Sequence, residues 1–201
     1  GNVTLASRSN PCPSFAERGE PGEIRKIKVE LRMLADVGLV GLPSVGKSTV
    51  LSKVTNANPK IASYHFTTLS PNLGVVSTPD YDYTIADLPG LIEGASHGEG
   101  LGDKFLRHIE RTRLLIHVVD VSGIEGRNPI EDFEAINAEL EKFNPELAKC
   151  PQIVAGNKID LATDEQRETF KEYIRSKGLD YYEIIAPIAE GTGELINKVA
   201  A

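Results

Sequence analysis

At 201 residues the chain can bury a full core, and 40% hydrophobic with 25% charged residues is ordinary for a soluble globular protein. A net charge of −7 argues against an independent, sequence-blind nucleic-acid binder, which needs clustered Lys and Arg. Cys12 and Cys150 lie too far apart in sequence to imply a disulfide framework, and there is neither a secretory signal nor an apolar run of ~18 residues, so the expectation is a reduced, cytoplasmic, soluble chain.

Gly1–Glu23 holds six Gly or Pro residues and no hydrophobic period, and reads as extended chain and turns. Ile27, Val29, Leu31 and Met33 then alternate with polar residues, the pattern of a half-buried strand that must find a partner. From Asp36 the pattern becomes strand, loop, helix, repeated. Val37–Val40 predicts a strand and Lys47–Asn56 a helix; Leu73–Ser77 and Tyr83–Ala86 predict a hairpin around Pro79-Asp80. Leu114–Val121 is a continuous apolar run expected of a central parallel strand covered on both faces. Pro129–Phe143 places Ile130, Phe133, Ile136, Leu140 and Phe143 on one helical stripe. Ile153–Ala155 predicts a strand, Thr163–Arg175 a capped helix, Tyr182–Ala186 a last strand and Glu194–Val199 a last helix. Lys104, Arg107, Arg111 and Arg113 form a local basic cluster, read as a solvated helix face. The alternation implies an α/β fold with a mostly parallel sheet, whose ligands bind at the carboxyl ends of the strands.

Four motifs fall at those ends. Gly41, Leu42, Pro43, Ser44, Val45, Gly46, Lys47 and Ser48 match the phosphate-binding loop between a strand and a helix. Its backbone N–H groups converge on phosphate oxygens, Lys47 supplies a point charge for the outer phosphates, and the Ser48 hydroxyl can ligate Mg²⁺. The loop alone does not separate ATP from GTP. Asn157, Lys158, Ile159 and Asp160 do, because the Asp160 carboxylate can accept from guanine N1–H and the 2-amino group, a donor pair adenine lacks. Asn157 can tie the base to the phosphate loop, while the Lys158 stem can cover the purine face. Asp87, Leu88, Pro89 and Gly90 follow the hairpin; Asp87 would hold the metal through a water and the Gly90 N–H would sense the γ-phosphate. Thr67 and Thr68, with the flanking Phe66, Leu69 and Ser70, form the segment that closes over the nucleotide, with Thr68 favoured over Thr67 for the metal. A last contact, to guanine O6, is expected from a backbone N–H near Ile185, Ala186 and Pro187. The metal ligands are therefore Ser48 and Thr68, and the residues acting on the reacting phosphate are Lys47, Thr68 and Gly90.

Residues Leu34–Ala186 closely resemble the G domain of the Obg family of GTPases. The resemblance is carried by Ala35–Gly41 leading into the phosphate loop, by Tyr64-His65-Phe66-Thr67-Thr68-Leu69 and by Pro71–Gly74. It is strongest in Asp87–Ala95, continued by Gly98, Gly100-Leu101-Gly102, Phe105–His108 and Glu110-Arg111. It implies a P-loop NTPase G domain over residues 35–201, with residues 1–34 as the tail of the N-terminal Obg domain and a linker strand; Gly1-Asn2 and Arg18–Glu23 look like that tail. It further implies the large ribosomal subunit as partner and guanosine tetraphosphate as a competing ligand; separately, the expectation is a monomer that does not engage membranes.

Four positions depart from familiar GTPases, one being Pro43 at a phosphate-loop position often held by Gly. Leu91 stands where Ras-like proteins place the Gln that orients water, and it cannot do so. Ser44 stands where family members commonly carry an Asn that supports potassium in some related GTPases, and Ile185 stands where the last base motif usually has Ser. His65 and His97 are polar side chains in the two switch loops, read as solvent-facing. Two functions remain open: a slow GTP hydrolase switching with ribosome assembly, and a nucleotide-gated binding module in which turnover is incidental.

Overall fold

The computed structural model describes residues 5–14, 19–27, 35–55, 60–61, 72–79, 81–88, 112–124 and 126–200. Backbone contacts divide the chain into Gly1–Leu31 and Arg32–Ala201. In the first unit, Ser7 and Asn10 exchange backbone hydrogen bonds of 3.1 Å across a tight turn. Residues 19–27 carry no regular structure, and Ile24 and Ile27 are exposed. Ile27, the first residue of the predicted N-terminal strand, is thus not in one; the rest of that strand lies outside the described residues.

Among its described residues the second unit is built on seven strands: β1 (Val37–Val40), β2 (Lys60–Ile61), β3 (Asn72–Ser77), β4 (Asp82–Asp87), β5 (Leu114–Asp120), β6 (Gln152–Asn157) and β7 (Asp180–Glu183). Their order in the sheet is β2-β3-β4-β1-β5-β6-β7. β1 pairs in parallel with β4 and β5, and β5–β6 and β6–β7 are also parallel. Only β2–β3 and β3–β4 are antiparallel. Among the described residues the helices are α1 (Lys47–Val54), α2 (Pro129–Phe143), α3 (Pro145–Ala148), α4 (Asp164–Ser176) and α5 (Thr192–Ala200).

Alternation along β5 explains the layering. Ile116 and Val118 face one side and join Val50, Leu51, Val54 and Leu195 of α1 and α5 in one core. Leu115 and Val119 face the other, meeting α2 through Ile136 and Leu140, and α2 and α4 through Phe133, Phe170 and Ile174. A strand covered on both faces must be largely apolar, and that is the character of Leu114–Val121, with His117 and Asp120 as its two buried polar members. Helix ends obey local chemistry. The Asn128 side chain accepts from the Ile130 N–H at 3.0 Å ahead of Pro129, and Thr163 and Gln166 form a capping box at α4. The Phe143 side chain, assigned to the α2 stripe, lies outside what is described.

Three features differ from the sequence reading. β2 is a two-residue edge strand too short for a periodic signal. α3 is a single turn capped by Asn144, whose Oδ1 accepts from the Glu146 and Leu147 N–H groups; Asn-Pro-Glu was its visible signal. The last strand is Asp180–Glu183 rather than Tyr182–Ala186. Ile185 turns aside to bridge Glu190, and Ala186 opens a one-turn 3₁₀ helix to Ile188, because Pro187 has no N–H to offer a sheet. No helix among the described residues is long and apolar enough to cross a membrane.

Candidate functional site

The carboxyl ends of β1, β4, β5, β6 and β7 lie on one edge of the sheet, and the motif residues gather there. The β1 chain turns at Gly41 (φ 148°), where a Cβ would collide with the Val118 carbonyl oxygen. It turns again at Gly46 (φ 103°) and enters α1 directly at Lys47. No side chain among the described residues caps α1, so its first-turn N–H groups face the loop. The Lys47 ammonium donates to the Gly41 and Leu42 carbonyls at 2.8 and 2.9 Å, folding its stem back over the loop. Ser44 is left-handed (φ 64°), a conformation Asn adopts with less strain than Ser. Val45 turns its side chain into the α1 core, leaving its backbone groups to the loop.

Asn157, 2% exposed, joins three segments. Its Nδ2 donates to the Val45 carbonyl at 2.8 Å, and its Oδ1 accepts from the Ala186 N–H at 3.0 Å. The Ile185 N–H is taken by the Glu190 carbonyl at 3.1 Å and Pro187 has none, so all three positions of the expected O6 contact are committed within the protein. Lys158 is left-handed (φ 60°) and opens a one-turn 3₁₀ helix, Ile159–Leu161, that presents an exposed Asp160. Its ammonium donates to Asp120 Oδ2 at 2.5 Å. The Asp120 carboxyl is held below the usual carboxylate range: burial alone would raise it, and hydrogen bonds from Lys158 and Ser122 outweigh that. Asp120 and Ser122 were not singled out from sequence, though an acid closing a buried strand was the available signal.

At the two residues expected to face a metal, Ser48 Oγ donates to Asp87 Oδ2 at 2.7 Å. Asp87 is 3% exposed, and its Oδ1 is buried without a hydrogen-bond partner among the described residues. A buried, half-satisfied carboxylate beside a hydroxyl is a hard oxygen pair suited to Mg²⁺. Leu88, grouped with the site from sequence, turns its side chain into the core and donates its N–H to Leu39 O at 3.2 Å, so it holds Asp87 in place. Phe66, Thr67, Thr68, Leu69, Ser70, Pro89 and Gly90 lie outside the described residues, as do His65, Leu91, His97, Lys104, Arg107 and Arg111.

Beneath the loop, His117 on β5 is fully buried and stacked on Phe133 at 4.8 Å, its ring nitrogens unpartnered among the described residues. Burial pushes it down to about 3, with the Lys47 charge adding to the effect.

Among solved structures, the G domain of the T. maritima FeoB iron transporter aligns with a TM-score of 0.60 at 24% identity, covering 82% of this chain and 95% of that one. The cytosolic domain of the same transporter in its GMPPNP form gives 0.60 at 23%, over 83% and 63%. At such identity the likeness concerns the fold: a P-loop GTPase G domain. The family model of 50S ribosome-binding GTPases matches residues 36–158. GTPase Obg of Clostridium tetani is 58% identical over the whole chain, and GTPase Obg of Levilactobacillus brevis 54%. The chain belongs to the family of 50S ribosome-binding GTPases and is similar to GTPase Obg along its whole length, spanning about half (48%) the length of these curated relatives.

Proposed function

We propose that this chain is a magnesium-dependent switch that binds GTP and hydrolyses it slowly to GDP and phosphate. The observation that supports the reading most is the pair of hydrogen bonds of Asn157, which tie the phosphate loop at Val45 and the segment at Ala186 to the start of the Asn157–Asp160 motif. On this reading one edge of the sheet carries the groups for phosphate and the group for guanine. The α1 N-terminus and Lys47 would cradle the outer phosphates, with Lys47 exchanging its two carbonyl partners for phosphate oxygens. Ser48 and Asp87, completed by Thr68, are the residues that would hold Mg²⁺, which when bound neutralises charge on the transferring phosphoryl group. Asp160 would read guanine, with Ile159 and the 185–187 segment forming the rim. Leu91 carries no group to orient water, which supports slow intrinsic turnover awaiting a partner's contribution.

The wider reading follows the family. Residues 1–34 would be the tail of the Obg domain and 35–201 the G domain, acting in the cytoplasm on large-subunit assembly, with guanosine tetraphosphate competing for the site. Leu91 also favours a second reading, a nucleotide-gated binding module with incidental hydrolysis. Single-turnover GTP hydrolysis with Mg²⁺, in potassium and in sodium, separates the two. Slow turnover abolished by Lys47→Ala supports the hydrolase; tight binding without turnover, restored by ribosomal particles, supports the module.

A further inference from the structure

We propose that Asp120 is a positioning residue for guanine recognition, holding Lys158 and, through it, the turn that carries Asp160; the inference rests on the guanine-site reading above. Asp120 closes β5 and is 5% exposed. Its two oxygens have separate tasks. Oδ1 accepts from the Ser122 hydroxyl at 2.5 Å and the Ser122 N–H at 3.0 Å, which shapes the turn leaving β5. Oδ2 accepts from the Lys158 ammonium at 2.5 Å, across 38 residues of sequence.

Lys158 sits where β6 ends, in left-handed backbone that a side chain resists unless its surroundings over-determine it. The Lys158 carbonyl accepts the Leu161 N–H at 3.0 Å and closes the turn on which Asp160 stands. Fixing the ammonium therefore fixes the start of that turn. A lysine stem is long and flexible, and ordering it before ligand arrives removes an entropic penalty from binding. The pair is partly buried, with Lys158 at 26% exposure, so solvent screens it less than a surface bridge. A wholly structural bridge would not need Lys158, because Ser122 alone satisfies the β5 turn. The lysine is the member that belongs to the base-reading motif.

The test uses the full chain with ribose-labelled fluorescent GDP, IDP and ADP, comparing wild type with Asp120→Asn, Lys158→Met and the double variant. Loss of a charge-assisted bond predicts GDP release roughly tenfold faster in Asp120→Asn. The double variant should release GDP no faster than Lys158→Met alone, because both substitutions break one unit. Preference for GDP over IDP, which lacks the 2-amino group, should narrow in Asp120→Asn as the Asp160 turn loosens. Ser122→Ala, which leaves Oδ2 and Lys158 paired, should release GDP at close to the wild-type rate. Asp120→Ser, too short to reach Lys158 yet able to serve the Ser122 amide, stands in if the Asn variant folds poorly and is held to the same rates. Unchanged GDP release in the Asp120 variants, or losses that multiply fully in the double variant, would overturn the proposal. A wild-type chain with no preference for GDP over ADP would sink the guanine reading and this inference together, whereas a wild type that prefers GDP but shows no Asp120–Lys158 coupling removes only the inference.

Discussion

Gly46 leaves the space that the Asn157 amide occupies: a Cβ at Gly46 would overlap Asn157 Nδ2, the atom that donates to the Val45 carbonyl. The phosphate loop and the base motif are therefore packed as one unit, although 110 residues separate Asn157 from Lys47. Gly46→Ala should act at both ends. Strain at φ 103° plus displacement of the amide is expected to cost about 2 kcal/mol of stability and to abolish tight nucleotide binding. Thermal unfolding and fluorescent-GDP titration check this; a variant with wild-type affinity would separate the two motifs.

Asn157→Ala leaves the Val45 carbonyl and the Ala186 N–H unpaired in a buried setting. Each orphaned group costs ~1–3 kcal/mol, so the expected loss is about 3 kcal/mol even without nucleotide. Denaturant unfolding of the nucleotide-free chain is the measurement. A loss visible only with nucleotide bound would mean the amide serves the ligand rather than the fold.

Asp160 is exposed, so replacing it should change ligand choice and not folding. Asp160→Asn converts an acceptor pair into a mixed donor and acceptor, which complements xanthine better than guanine. Competition between GDP and XDP should shift toward XDP by about tenfold or more, while the unfolding temperature stays within a few degrees. Retained GDP preference would place base reading elsewhere.

Asp87→Ala removes the buried, half-satisfied carboxylate beside Ser48. The Mg²⁺ concentration needed for half-maximal stabilisation of bound GTP should rise at least roughly tenfold, with little effect in chelator. Equal losses with and without Mg²⁺ would assign Asp87 a structural role only.

His117 makes stability fall in acid. In the folded chain burial lowers it from 6.5 to about 3, so the unfolded state binds the extra proton between those values. Its contribution is complete above pH 6.5 and is lost as pH drops toward 3, with a slope approaching 1.4 kcal/mol per pH unit from this group. Comparing the pH dependence of unfolding for wild type and His117→Gln isolates the effect, because the variant should lose this part of the slope.

Much of the fold was legible because its signals are local. The apolar run at Leu114–Val121, the stripe of α2 and the Thr163–Gln166 capping box depend on neighbours within a few residues, and the structure places those elements within a residue or so of expectation. The phosphate loop was legible for the same reason: glycines at 41 and 46 state a backbone requirement that needs no partner to be read. The ends of β7 were not, since Ile185 leaves the sheet for a bridge to Glu190 and Ala186 for a bond to Asn157, 29 residues earlier.

Sequence by itself pointed to the class of site: a strand–loop–helix of the kind proposed to hold phosphates, an acidic residue proposed to read the base, and an order of motifs similar to that of the Obg family. Tertiary structure alone decided how those pieces are held. Asn157 reaches Val45 across 112 residues, Ser48 reaches Asp87 across 39, and Lys158 turns to Asp120 across 38. Such contacts depend on which strands become neighbours in the sheet, and side-chain chemistry at one position does not state what will face it. The Lys158 stem read from its motif as a cover for the purine; folding gave its ammonium a buried carboxylate, because β5 and β6 end side by side.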